Sequence, residues 1–468
     1  MPYKISGIKS ETARIIIFKE SDWSIESNTI ISGSGSYEID SLVSGTKLCL
    51  ARTENGWVEG FGNVSAEEYI PPGPRTLDNP NAYGTPTSDF FGYSVAISGN
   101  YAIVGAYAED DAGGLASGKA YIFDVTTGAL LQTLDNPNAY GTSAGDQFGY
   151  RVAISGNYAI VGAYYEDDAG GISSGKAYIF NVTTGALLQT LDNPNVYGTS
   201  VNDQFGYRVA ISGNYAIVGA PRENDAGGSD SGKAYIFDVT TGALLQTLDN
   251  PNAYGTSASD FFGYSVSISG NYAIVGAYAE DDAGVLDSGK AYIFNVTTGA
   301  LLQTLDNPNV YGTSDSDFFG NSVAISGNYA IVGAYREDDA GGSDSGKAYI
   351  FDVTTGALLQ TLDNPSAYGT SAGDYFGYSV AISGNYAIVG AYRESYVGGT
   401  SSGKAYIFNV TTGALLQTLD NPNAYGTPKD DYFGYSVSIS GNYAIVGAIY
   451  EDYAGGINSG KAYIFPIE

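Results

Sequence analysis

Seven glutamates stand 57 residues apart in this chain: Glu109, Glu166, Glu223, Glu280, Glu337, Glu394 and Glu451. Most open an acidic stretch, as in Glu109-Asp110-Asp111. Carboxylates at this density suit two chemistries. Paired at a fixed separation, they supply the acid and base of glycoside hydrolysis. Converging on one point, they hold a hard cation such as calcium, which takes six or more oxygens. The pattern favours neither, because no pair stands out from the sevenfold background and consecutive acids do not converge. Other catalytic routes lack their residues. There is no histidine, and the one cysteine, Cys49, sits in the apolar run Lys47-Leu-Cys-Leu-Ala51. No triad, His/Cys metal set or phosphate loop is present. The expectation is a non-enzymatic protein with no cofactor and no metal.

A second series keeps the same step: Tyr83, Tyr140, Tyr197, Tyr254, Tyr311, Tyr368 and Tyr425. These lie in loops of the type Asp-Asn-Pro-Asn-Ala-Tyr-Gly-Thr. Rigid aromatics beside small polar residues suit recognition of a protein or a glycan. Both series are therefore taken as candidate ligand-binding residues. The competing reading gives the tyrosines to loop packing and the Asp and Asn side chains to turn capping.

The elements that position these residues follow from the repeat itself. Phe91-Gly-Tyr-Ser-Val-Ala-Ile-Ser-Gly-Asn-Tyr-Ala-Ile-Val-Gly-Ala106 recurs from Phe148, Phe205, Phe262, Phe319, Phe376 and Phe433 with no insertion. In the first unit Tyr93, Val95 and Ile97 alternate with Ser94, Ala96 and Ser98, which is strand periodicity. A tight Ser98-Gly-Asn100 turn, a strand over 101–107, a long loop, a strand over 118–125, a Thr126-Thr-Gly128 turn and a strand over 129–134 complete it. Four antiparallel strands repeated seven times predict an all-β, seven-bladed propeller. Leu-Leu-Gln-Thr-Leu occurs only six times, and the seventh unit stops at Glu468. Pro74-Arg-Thr-Leu77 is the missing fourth strand, expected to close blade seven and hide its edges. Successive turns of a meander alternate between faces, so both long loops gather on one face and both short turns on the other. The linker should then enter, and the preceding domain hang, on the short-turn side.

Residues 1–70 lack the repeat. They hold both tryptophans, Trp23 and Trp57, and several β-branched runs such as Ala13-Arg-Ile-Ile-Ile-Phe-Lys19. A small β-sandwich domain is expected there, joined through the stiff linker Pro71-Pro-Gly-Pro74. The net charge of −30, from 20 basic and 50 acidic residues, argues against nucleic acid and anionic membranes as partners. No run is long enough to span a bilayer. Met1-Pro-Tyr-Lys-Ile-Ser has no apolar leader, so a chain without a cleaved signal peptide is expected.

Phe91-Gly92 together with Gly105-Ala106-Tyr107, and with Gly219-Ala220-Pro221 as the full match, resembles the FG-GAP repeat family, the propeller of integrin α-chains and of many bacterial surface proteins. The resemblance covers about 390 residues and implies a binding propeller. Many members carry a calcium loop between the first two strands. Here that turn is Ser-Gly-Asn in every copy, including Ser98-Gly99-Asn100 and Ser440-Gly441-Asn442, so no calcium is expected there. Gly35-Ser-Tyr-Glu-Ile-Asp-Ser-Leu42 and the residues after it resemble small carboxypeptidase-regulatory-like or transthyretin-like sandwiches, which implies a spacer or anchor. Together these readings predict a binding and display protein on a virion, such as a phage, or on a cell surface. Its long-loop face would meet a protein or glycan receptor, and residues 1–70 would meet other structural proteins. The alternatives are a structural or self-assembling subunit of a larger particle and, last, a polysaccharide-degrading enzyme.

Overall fold

The chain divides into two compact units, Met1–Pro72 and Gly73–Glu468. The computed structural model describes the second unit except residues 82–86, 112–113, 139–142, 169–170, 196–199, 226–227, 252–257, 282–284, 309–314, 340–341, 366–371, 396–399, 423–428, 453–455 and 468. Of the first unit it describes only strand backbone, in one three-stranded and one four-stranded sheet. The packing that a β-sandwich requires, and the side chains of Trp23, Cys49 and Trp57, lie outside the described residues.

The second unit is a ring of seven four-stranded antiparallel sheets. In blade one the strands are Ser94–Ser98, Tyr101–Ala106, Lys119–Asp124 and Leu130–Asp135, running from the axis to the rim. Each middle strand is buried on both faces because a blade lies between two neighbours. That is why Lys119-Ala-Tyr-Ile-Phe reads as a continuous apolar run rather than an alternating one. Tyr121 and Phe123 face one neighbour, Ala120 and Ile122 the other. The hydrophobic cores therefore lie between blades. The one joining blades one and two packs Ile103, Ile122 and Leu134 against Phe148, Val152, Ile154 and Val161. Burying each such aliphatic side chain contributes about 1.5–3 kcal/mol. At the rim only Leu134 of its strand is buried, while Leu130 and Leu131 are exposed.

The last sheet is completed from the start of the unit. Arg75–Asp78 pairs antiparallel with Lys461–Pro466, with Leu77 opposite Ala462 and Thr76 opposite Tyr463. Asp78 lies beside Lys461, at the end where the long loops gather, so the chain enters this strand at Arg75 from the short-turn end. Leu77, 1% exposed, joins Ile445 and Ile464 in the core against blade one.

Blades also touch backbone to backbone. A Cβ on Gly105 would stand 2.0 Å from the carbonyl oxygen of Gly149 in the next blade, and one on Gly118 would stand 2.0 Å from that of Phe148. Glycine is required where neighbouring sheets approach this closely. Gly105→Ala should therefore cost about 3 kcal/mol or more. It should appear as a lower denaturant midpoint and reduced soluble yield. Serine hydroxyls add cross-blade bonds: Val152 N donates to Ser94 Oγ at 3.0 Å, and Gly156 N donates to Ser98 Oγ at 3.3 Å. At the short turns, Gln132 Nε2 donates to the Thr183 carbonyl at 2.7 Å.

Candidate functional site

The long-loop end of the axis is lined by aromatic rings. The residue after each Phe-Gly is Tyr93, Tyr150, Tyr207, Tyr264, Tyr378 or Tyr435, with Asn321 in the remaining blade. Neighbouring rings stand 4.8 Å apart for Tyr93 and Tyr150, 5.3 Å for Tyr150 and Tyr207, and 5.0 Å for Tyr207 and Tyr264. The hydroxyls of Tyr93 and Tyr150 are 2.9 Å apart, and those of Tyr378 and Tyr435 are 3.0 Å apart. Two arginines interrupt this collar where other blades carry serine. Arg151 is buried, with its guanidinium carbon 4.7 Å from the Tyr93 ring centre and 4.6 Å from that of Tyr150. Nη1 donates to the Tyr150 carbonyl, while Nε finds no acceptor among the described residues. Arg208 Nε donates to the Tyr264 carbonyl at 3.1 Å.

Above the collar lies a second tier, formed by the residue after each Gly-Ala. Tyr107 packs 4.5 Å from Tyr93 and 5.4 Å from Tyr150 of the next blade. Tyr164 bridges Tyr150 and Tyr207 in the same manner. Blade three has Pro221 at this place, and a proline ring cannot span that gap. The result is a cleft of ≈ 240 Å³ between blades two, three and four. Tyr164 and Tyr165 wall one side, Phe261 and Tyr278 the other, with Gln204 and Arg222 also lining it. Arg336 and Arg393 are the counterparts of Arg222 in blades five and six. Their guanidiniums lie on rings, 5.0 Å from Phe318 and 4.8 Å from Tyr375. Among the described residues Arg222 is seated on no ring. No ion pair of Arg151, Arg208, Arg222, Arg336 or Arg393 occurs among the described residues either.

The seven glutamates are elsewhere. Glu109, Glu166, Glu223, Glu280, Glu337 and Glu451 are fully buried, and Glu394 is 1% exposed. Each accepts a hydrogen bond from a third-strand tyrosine: Tyr121 OH lies 2.7 Å from Glu109 Oε1, and Tyr178, Tyr235, Tyr292, Tyr349, Tyr406 and Tyr463 repeat the contact. The expectation that these glutamates meet a ligand on the presenting face is revised: the loop folds them inward, where a tyrosine hydroxyl donates to each. Burial raises the carboxyls of Glu109, Glu166, Glu223, Glu337 and Glu451 to about 8, against the opposing effect of the tyrosine bond.

The neighbouring acids have separate duties. Asp110 Oδ1 accepts from Ala116 N at 2.9 Å and closes its own loop. Asp111 lies 3.9 Å from Lys119 Nζ, which also pairs with Asp135. Every Lys of the Gly-Lys-Ala-Tyr series pairs with the Asp ending the adjacent strand, Lys461 with Asp78 across the closure. In blade six Ser395 takes the capping place, accepting from Ser401 N at 3.2 Å. Asp124 and Asn181 accept from the two threonines that follow them, so that position is a hairpin cap. Among the described residues no group of three His, Cys, Asp or Glu side chains could hold a metal ion.

The Asp-Asn-Pro-Asn loops begin with a clamp. Asn79 Nδ2 donates to Asp89 Oδ2 at 2.9 Å, and Asn136 does the same for Asp146. Burial raises Asp89, Asp146, Asp203 and Asp374 to about 6 despite these bonds. The tyrosines further along these loops, Tyr83, Tyr140, Tyr197, Tyr254, Tyr311, Tyr368 and Tyr425, lie outside the described residues. Sequence reasoning missed the collar and the cleft. Their signal was present in aligned copies of the repeat, as serine replaced by Arg151 and Arg208, and tyrosine replaced by Pro221.

The glycines that let blades touch are those of the recurring Phe-Gly and Gly-Ala pairs, Gly92 and Gly149 among them. The FG-GAP repeat model matches seven times, at residues 82–123, 138–180, 198–237, 252–294, 312–351, 366–408 and 424–465. The chain belongs to the FG-GAP repeat family. Its FG-GAP propeller is consistent with a binding or structural role. Comparison with curated proteins gives no match. In this FG-GAP chain the motif is explained by contact: the Phe fills the inter-blade core, and the two glycines admit the neighbouring backbone.

Proposed function

We propose that the propeller is a non-enzymatic recognition head. Its long-loop face meets a protein or glycan receptor, and the protein is displayed on a virion or cell surface with residues 1–70 docked to other structural proteins. The observation that carries this reading is the asymmetric mouth of the axis. Aromatic rings and five arginines with no carboxylate partner among the described residues gather there, whereas the strand lysines of the body are paired with aspartates. Fold alone does not assign function, so the site must. The internal use of all seven glutamates supports a binding role over hydrolysis, since none of them faces an open cleft.

The test is a glycan array and a panel of candidate receptor proteins, read with the wild type and with Tyr→Ala variants at Tyr83, Tyr165 and Tyr278. A specific ligand is expected, with binding reduced roughly tenfold or more by at least one variant. Release of product from a polysaccharide would overturn the non-enzymatic reading. A second reading, lateral assembly into a larger particle, is favoured by one feature. The outer strands expose paired leucines around the rim, such as Leu130 and Leu131, or Leu187 and Leu188. Sedimentation that shows ordered oligomers with no ligand on any panel would favour it.

A further inference from the structure

We infer that the cleft between blades two, three and four binds an acidic saccharide, one sugar ring bearing a carboxylate, with Arg222 as the carboxylate's partner. This rests on the recognition reading above and names its ligand class.

The cleft exists because Pro221 replaces the tyrosine that fills the equivalent gap beside Tyr107 or Tyr164. Its volume, ≈ 240 Å³, is below the about 300–1,000 Å³ of sites for drug-sized ligands, which suits a single ring rather than a length of peptide. Aromatic side chains wall both sides, and Tyr165 presents an exposed ring. Such faces receive the C–H side of a pyranose, while the Gln204 amide and the tyrosine hydroxyls offer bonds to sugar hydroxyls. Arg222 supplies the remaining feature. Its counterparts Arg336 and Arg393 rest on Phe318 and Tyr375, and more distantly on Tyr335 and Tyr392. In blade three those places are taken by Gln204 and Pro221, neither of them aromatic, and the exposed Arg222 guanidinium lines the cleft instead. A guanidinium matches a carboxylate with two parallel hydrogen bonds. Arg151 and Arg208, at the adjoining collar, add positive charge. On a chain of net charge −30, this concentration of arginines without an ion pair among the described residues favours an anionic ligand.

The probes are an oligosaccharide of hexuronic acids, its counterpart reduced to neutral hexoses, and an acidic peptide, each titrated by calorimetry against the full chain. The acidic oligosaccharide is expected to bind roughly tenfold or more tightly than the neutral one, and more weakly as salt is raised. Arg222→Gln, at an exposed position, should remove that preference with an unchanged melting temperature, and Tyr165→Ala should weaken both sugars. Equal binding of acidic and neutral sugars, no effect of Arg222→Gln, binding of the acidic peptide alone, or no binding of the acidic oligosaccharide would each overturn the inference. If array ligands still bind and respond to other long-loop variants, the recognition head stands and only this site fails. If the long-loop face takes no ligand at all, both fall.

Discussion

Deleting Arg75–Asp78 from the full chain is expected to lower the melting temperature of the propeller by about 10 °C or more and to promote aggregation. The strand contributes Leu77 to the core between blade seven and blade one, and losing a buried leucine costs about 2–5 kcal/mol. Deletion also takes Asp78 from Lys461, a pair whose aspartate is 46% exposed and which contributes about 1 kcal/mol or less, and removes the ladder bonds to Lys461–Ile464, each contributing about 0.5–1.5 kcal/mol. At this chain length each kcal/mol moves the midpoint by roughly 1–2 °C. The strand Lys461–Pro466 would become an open sheet edge, the usual template for pairing between chains. Leu77→Asp is the milder version. Calorimetry with light scattering measures both effects, and an unchanged midpoint would show that inter-blade contacts hold the ring without its closing strand.

The second large effect is a stability that falls as pH rises. The buried glutamates move from an ordinary 4.5 to about 8, and the clamped aspartates from 3.8 to about 6. Both shifts are upward and burial is their main cause, so the folded state holds protons that the unfolded chain has released. Their stabilising contribution is complete below the ordinary values. It is lost as pH rises through about 6 for the aspartates and about 8 for the glutamates. Each group contributes up to about 1.4 kcal/mol per pH unit within its window. The melting temperature at pH 5 should exceed that at pH 8 by at least about 10 °C. Glu109→Gln separates this cause from relief of general charge repulsion: it should flatten the pH dependence by one group's share. A melting temperature that rises from pH 5 to pH 8 would refute the account.

The ring itself was legible because the 57-residue step is kept without a single insertion and each unit spells four strands. The missing seventh copy of Leu-Leu-Gln-Thr-Leu points, in the same way, to the strand at Arg75–Asp78. The glutamates misled because Glu-Asp-Asp looks like a solvated loop when read locally. Their partner, Tyr121 and its copies, comes twelve residues later on another strand. The clue lay between the copies. Glutamate stays the same in all seven, while the residues after it vary through Asp110, Asn224, Ser395 and Tyr396. A position fixed by an internal partner tolerates less change than one facing water. The substitution at Pro221 could be read from the copies, but the cleft could not: it is an absence, an aromatic ring missing, and its effect appears only when three blades stand side by side.

The direction in which Arg75–Asp78 enters the last sheet has a mechanical consequence. Tension carried through Gly73 and Pro74, away from the short-turn end, pulls the strand along its own length. Its ladder bonds with Lys461–Ile464 then share the load together rather than breaking one after another as in peeling. A pull on residues 73–74 along the strand axis would thus load the closing seam in shear, the direction in which a strand pair holds best.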